Sequence, residues 1–101
     1  MIALVAINKP EQMKEVWIFN GVGGRFPSAV FEAKSEAEDW IKNGKLSGVL
    51  TKYPVGISVY QWAIDNENFK VKSERDCSPE FIQKFSSAAQ EHMHYVNGSA
   101  D

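Results

Sequence analysis

The stretch Glu15-Val16-Trp17-Ile18-Phe19-Asn20-Gly21-Val22-Gly23-Gly24-Arg25-Phe26-Pro27-Ser28-Ala29-Val30-Phe31 decides how this chain folds. Residues 15–20 are rich in β-branched and aromatic side chains, the composition of a strand. Apolar groups fall on both of its faces, which places the strand in the interior of a sheet. Gly21 to Gly24 breaks the run, and residues 25–31 resume extended structure. Pro27 has no N–H to give to a ladder, so it marks an edge, a bulge or a strand start. The two arms together predict an antiparallel hairpin closed by a glycine loop.

Outward from the hairpin, the pattern changes period. Ser35-Glu36-Ala37-Glu38 reads as a capping box, with Ser35 at the N-cap and Glu38 reaching back. Ala37, Trp40 and Ile41 follow at the spacing of one helix face, and Gly44 stands where a left-handed terminator is expected. Residues 46–53 alternate as a strand that Pro54 and Gly56 end. Ser58 caps a second short helix containing Val59, Trp62 and Ala63. Asp65 to Asn68 is a polar turn, and Phe69-Lys70-Val71-Lys72 alternates as an edge strand guarded by lysines. Ser78-Pro79-Glu80 is a helix start with Ser at the N-cap and Pro at N1. Phe81, Ile82, Phe85, Ala88 and Ala89 form the stripe of a helix running to about residue 90. Residues 92–96 either finish that helix or form a last strand. On the other side, Ile2 to Ile7 is an apolar run cut off by Asn8-Lys9-Pro10-Glu11. It reads as an extension or edge strand, with Met13 a second possible start.

These segments predict an α+β fold: a small, mainly antiparallel sheet with two or three helices packed on one face. The expected organisation is an extension over residues 1–12, a single domain over 13–98 and a frayed tail over 99–101. The 101 residues support one core, and the twelve aromatic residues are enough to fill it.

Charge narrows the function. Eleven basic and thirteen acidic residues give a net charge of −2. A nucleic-acid binder is ordinarily basic, because phosphate neutralisation supplies most of its affinity. The mild overall acidity suits a basic protein partner slightly better than a nucleic acid; the excess of seven acidic over four basic groups in residues 53–101 is too small to decide anything alone. Cys77 is the only cysteine, so no internal disulfide forms and a reducing compartment is expected. No apolar run reaches the ~20 residues of a membrane span, and the apolar start lacks a basic leader, so the expectation is a cytoplasmic protein.

No catalytic set is assembled along the chain, and no cofactor is implied. The Gly21–Arg25 loop is a candidate anion or ligand cradle, but it lacks a Gly-Lys-Ser/Thr signature and precedes an extended segment instead of a helix. His92 and His94 would share a face if their segment is a strand, and with Cys77 they form a candidate metal or nucleophile–base set. Cys77 stands beside a helix start, a position that suits a reactive thiol. Glu67, Glu74 and Asp76, with Glu91 further on, are candidate partner contacts, as is Arg25 on the loop. Trp17, Trp40 and Trp62 fall on apolar stripes and read as core.

The segments 15–31, Lys45 to Val55, Tyr60 to Ile64, Ser78 to Ala88 and Gln90 to Tyr95 resemble a small bacterial domain family of unknown function. The likeness spans roughly residues 13–98 and implies no activity. In size and charge alone, the chain is also similar to immunity proteins of bacterial toxin systems. The expectation is therefore a non-catalytic protein-binding domain, most concretely an immunity-type inhibitor that covers a toxin's basic active site. The alternatives are a small metal-binding or enzymatic domain at Cys77, His92 and His94, or a ligand module at the glycine loop.

Overall fold

A computed structural model describes residues 14–101; the expected N-terminal extension, 1–12, lies outside the described residues. Strand β1 (Glu15–Gly21) pairs antiparallel with β2 (Ala29–Phe31), placing Trp17 opposite Phe31 and Phe19 opposite Ala29. Helix α1 (Lys34–Gly44) carries the chain across to β3 (Gly48–Pro54), which pairs with the other edge of β1. An excursion of helix α2 (Val59–Asp65), a 3₁₀ turn (Glu74–Cys77) and helix α3 (Pro79–Gln83) follows. The chain returns as β4 (His92–Val96) beside β3 and turns into β5 (Ser99–Ala100). The result is an α+β domain whose described residues form a five-stranded antiparallel sheet, ordered β2-β1-β3-β4-β5.

Register and pleat determine what is buried. Trp17 and Phe19 of β1 share a face with Leu50 of β3, Met93 and Tyr95 of β4, and Ala29 and Phe31 of β2. Helix α1 lays Ala37 and Ile41 into this face, and Phe19, Ile41 and Leu50 are fully enclosed. Trp40 closes the flank, its ring 5.5 Å from Phe19 and 5.6 Å from Phe31. The excursion gathers around its own aromatic cluster, in which Phe69 stacks on Phe81 at 5.6 Å and meets Phe85 at 5.0 Å.

Several local expectations are corrected. The capping box does not form: α1 starts two residues earlier, its N-cap is Ala33, and no side chain caps it. Glu38 instead accepts the Tyr95 hydroxyl at 2.7 Å. The left-handed terminator is Lys45 (φ 55), while Gly44 stays helical with Leu46 packed so closely that a Cβ there would lie 3.0 Å from it. Residues 69–72 form no strand, because Phe69 turns into the aromatic cluster and the Lys72 amide donates to the Asp76 carboxylate. Helix α3 stops at Gln83, where Phe85 joins that cluster. Beyond it the Ser87 hydroxyl accepts from the Ala89 amide, a local bond that competes with helix. The Ser58 and Ser78 caps do form, accepting from the amides of Gln61 and Phe81.

Residues 99–101 are not frayed. Asn97 (φ 52) and Gly98 (φ 89) make the two-residue turn with both residues at positive φ that suits a tight hairpin. The Gly98 amide donates to the Leu46 carbonyl, and the Asn97 amide to the Ser47 hydroxyl. The Asn97-Gly98 turn is thereby tied to the segment that joins α1 to β3.

Candidate functional site

The hairpin tip between β1 and β2 is built by backbone hydrogen bonds. The Gly24 amide donates to the Gly21 carbonyl at 2.9 Å, closing a turn with Gly23 at φ +82 in its third position, where glycine is favoured. The Val22 amide donates to the Ser47 carbonyl at 3.0 Å, and the Asn20 side-chain amide to the Gly24 carbonyl. With the amides of Val22 and Gly24 used internally, the loop is a braced turn and not a ring of N–H groups converging on an anion. Its side chains point the other way: Val22 is 80% and Phe26 75% exposed, on either side of the exposed Arg25. Isolated exposed apolar residues are ordinary. Two on one braced turn, beside an arginine, match the aromatic and arginine enrichment of interface cores.

The other predicted partner contacts do not join Arg25. Register places Gly21 opposite Gly48 at one end of the sheet and Glu15 opposite Pro54 at the other, about 20 Å apart at ~3.3 Å per residue. The tip extends from the first end and the helical excursion from the second. There, Glu67 and Asp76 line an open groove together with Phe69, Lys70 and Lys72, and Glu74 opens the 3₁₀ turn alongside. Two ammonium groups among two carboxylates leave that groove without a strong negative charge.

Glu91 stands elsewhere again. Its carboxylate lies 3.3 Å from the Lys52 ammonium and 3.6 Å from that of Lys34, and Lys52 also reaches Glu15 at 3.5 Å. Both lysines lie over the Trp17 ring, 5.3 and 5.8 Å from its centre. The hydrogen bond from Lys52 lowers the Glu91 pKa, ahead of a smaller opposing effect of burial. Burial alone would lower the Lys52 pKa, but the hydrogen bond to Glu91 and the charges of Glu15 and Glu91 outweigh it and raise it. Glu91 therefore pairs with the two lysines that cover Trp17, and its charge is already matched by them.

Cys77 is exposed, in the excursion beside Tyr60, whose hydroxyl donates to the Asp76 carbonyl at 2.6 Å. Burial first, then the neighbouring Cys77, raises the Tyr60 pKa. His92 and His94 sit on β4, so the segment is a strand and the two imidazoles do share a face, 5.6 Å apart between ring centres. Cys77 does not join them: among the described residues, no cluster of three or more His, Cys, Asp or Glu side chains is placed to hold a metal. No helix among the described residues is long and apolar enough to cross a membrane.

Sequence reasoning missed Gln90, which it placed at a helix end. Gln90 is 5% exposed, donates its side-chain amide to the Lys52 carbonyl and accepts from the Ser87 amide. It pins the returning chain to β3 and sets the start of β4; only a contact across 38 residues reveals this.

Residues 16–101 match the model of a family described as a domain of unknown function, DUF7710, and the chain belongs to that family. Comparison with curated proteins and with solved structures returned no match.

Proposed function

We propose that this member of the DUF7710 family is a non-catalytic protein-binding domain whose hairpin tip, Val22 to Phe26, enters a partner. The observation that carries this reading is the exposure of Val22 and Phe26 on a turn held by backbone hydrogen bonds at Val22, Gly24 and Ser28. A braced turn loses little conformational freedom on docking, so the burial of its apolar groups is not spent on ordering it. Arg25 between them supplies a charged fork for an acceptor on the partner.

In its most specific form the partner is a bacterial toxin and the domain an immunity-type inhibitor. Small size and mild acidity support that form. Glu67, Glu74 and Asp76 at the far end of the sheet would supply a second, weaker surface for basic groups. The test is co-expression with the product of the neighbouring gene, using the native chain and the variant V22S/F26S. A stable complex and protection from toxicity that both disappear in the variant support the reading. Absence of a complex with the native chain rejects it.

A further inference from the structure

We propose that His92 and His94 form a two-imidazole chelate for a borderline divalent cation, Cu²⁺ ahead of Ni²⁺ and Zn²⁺, on the face of the sheet opposite the core. The strand pleat puts both side chains on that face, since the intervening Met93 packs against the core. Both imidazoles are exposed, and their ring centres are 5.6 Å apart. Two imidazoles sharing one ion through metal–nitrogen bonds of about 2.0–2.1 Å have ring centres roughly 5.2 Å apart in a tetrahedral site and roughly 4.5 Å apart as neighbours in the tetragonal site that Cu²⁺ favours. Both rings are exposed, and side-chain rotation brings them to either separation.

The support behind His92 makes this more than two neighbouring side chains. Its Nδ1 lies 2.7 Å from the Gln90 carbonyl oxygen, which can only accept, so Nδ1 carries the proton and donates it. Nε2 is then left with its lone pair directed away from the backbone, the arrangement in which a ligating histidine gives its second nitrogen to a carbonyl. Gln90 is itself held at both ends of its side chain, by the Lys52 carbonyl and the Ser87 amide. The carbonyl that orients His92 is therefore fixed by the sheet. The strand opposite contributes Val49 and Thr51 to this face, neither of them charged. Imidazole donors favour Cu²⁺, Ni²⁺ and Zn²⁺ over Mg²⁺ or Ca²⁺, with Cu²⁺ highest in the general order of stability. Water fills the remaining coordination positions.

The experiment titrates CuCl₂, NiCl₂ and ZnCl₂ separately into untagged full-length protein by calorimetry, and records the electron paramagnetic resonance spectrum of the Cu²⁺ complex. The native chain, His92→Asn, His94→Asn and the double variant are compared, with far-ultraviolet circular dichroism confirming the fold of each. The expected result is one ion per chain, an order Cu²⁺ > Ni²⁺ and Zn²⁺, and hyperfine structure from two equatorial nitrogens. Each single variant should bind at least tenfold more weakly. A double variant that binds Cu²⁺ as tightly as the native chain, a single variant losing less than tenfold, or no saturable binding by the native chain would each overturn the proposal.

Discussion

Replacing Tyr95 by Phe tests how α1 is held to the sheet. Tyr95 is 4% exposed, and its hydroxyl donates to Glu38 at 2.7 Å. A hydrogen bond to a charged group contributes roughly 1.5–3 kcal/mol. Phe leaves no buried donor behind, and half-buried Glu38 recovers water, so the loss should fall near the low end, about 1–1.5 kcal/mol. For a domain of this size that is a fall in Tm of about 5–10 °C. Glu38→Ala strands the buried hydroxyl and should cost about as much or slightly more, so the double variant should show a coupling of ~1 kcal/mol. Ser35→Ala, by contrast, should change stability by less than about 0.5 kcal/mol, because Ser35 caps nothing. Urea titrations of the four variants, with m unchanged, give these values. The pH dependence is a second readout. Burial, followed by the Glu38 contact, pushes the Tyr95 pKa well above 10.0. A raised phenol pKa stabilises the fold fully below the unfolded value and is lost as pH rises above about 10. The native chain should therefore lose stability on that alkaline limb more steeply than Tyr95→Phe. A costly Ser35→Ala together with a neutral Tyr95→Phe would refute the reasoning and restore the capping box.

Other changes follow from the same geometry. Lys45→Gly removes a left-handed lysine at the end of α1 and should raise stability by about 1 kcal/mol in thermal or urea unfolding. Gly48→Ala drives a Cβ into the Asn20 carbonyl oxygen and to 2.7 Å from the Phe19 ring, and should destabilise by about 3 kcal/mol or prevent folding, judged by circular dichroism. Gly98→Ala meets the Lys42 carbonyl at 3.1 Å with φ at +89, so it should cost about 1–3 kcal/mol and expose residues 99–101 to carboxypeptidase. The depressed Glu91 pKa adds stability that is present above the ordinary 4.5 and is lost as pH falls through the lower folded value. Glu91→Gln should flatten that acid limb in urea titrations between pH 6 and pH 3.

What could be read in the sequence was local. The β1–β2 hairpin follows from side-chain composition around a glycine break, and the Ser58 and Ser78 caps act over three residues. Features set by distant partners were hidden. Glu38 carries the signature of a capping box, but a buried hydroxyl 57 residues away claims it. Residues 69–72 alternate as a strand should, yet no neighbouring strand accepts them and three aromatic rings draw Phe69 inward. The spacing of His92 and His94 suits either strand or helix end until pairing with β3 decides it. Glu91 looked like a free acid because Lys34 and Lys52 come to it from other elements. The Asn97-Gly98 turn is a different case: its dipeptide is a strong local hairpin signal, and its position near the chain end obscured it. For the candidate site, Arg25 was legible, while exposure of Val22 and Phe26 became visible only once the core was seen to be complete without them.

The most direct measurement is the affinity of the neighbouring-gene product for the native domain and for Phe26→Ser, both shown to unfold at the same urea midpoint. Because Phe26 is 75% exposed, its replacement should leave stability within about 0.5 kcal/mol. As an interface anchor it should weaken binding by about 2 kcal/mol, roughly thirtyfold. Equal affinity of the two forms would contradict a partner surface at the hairpin tip.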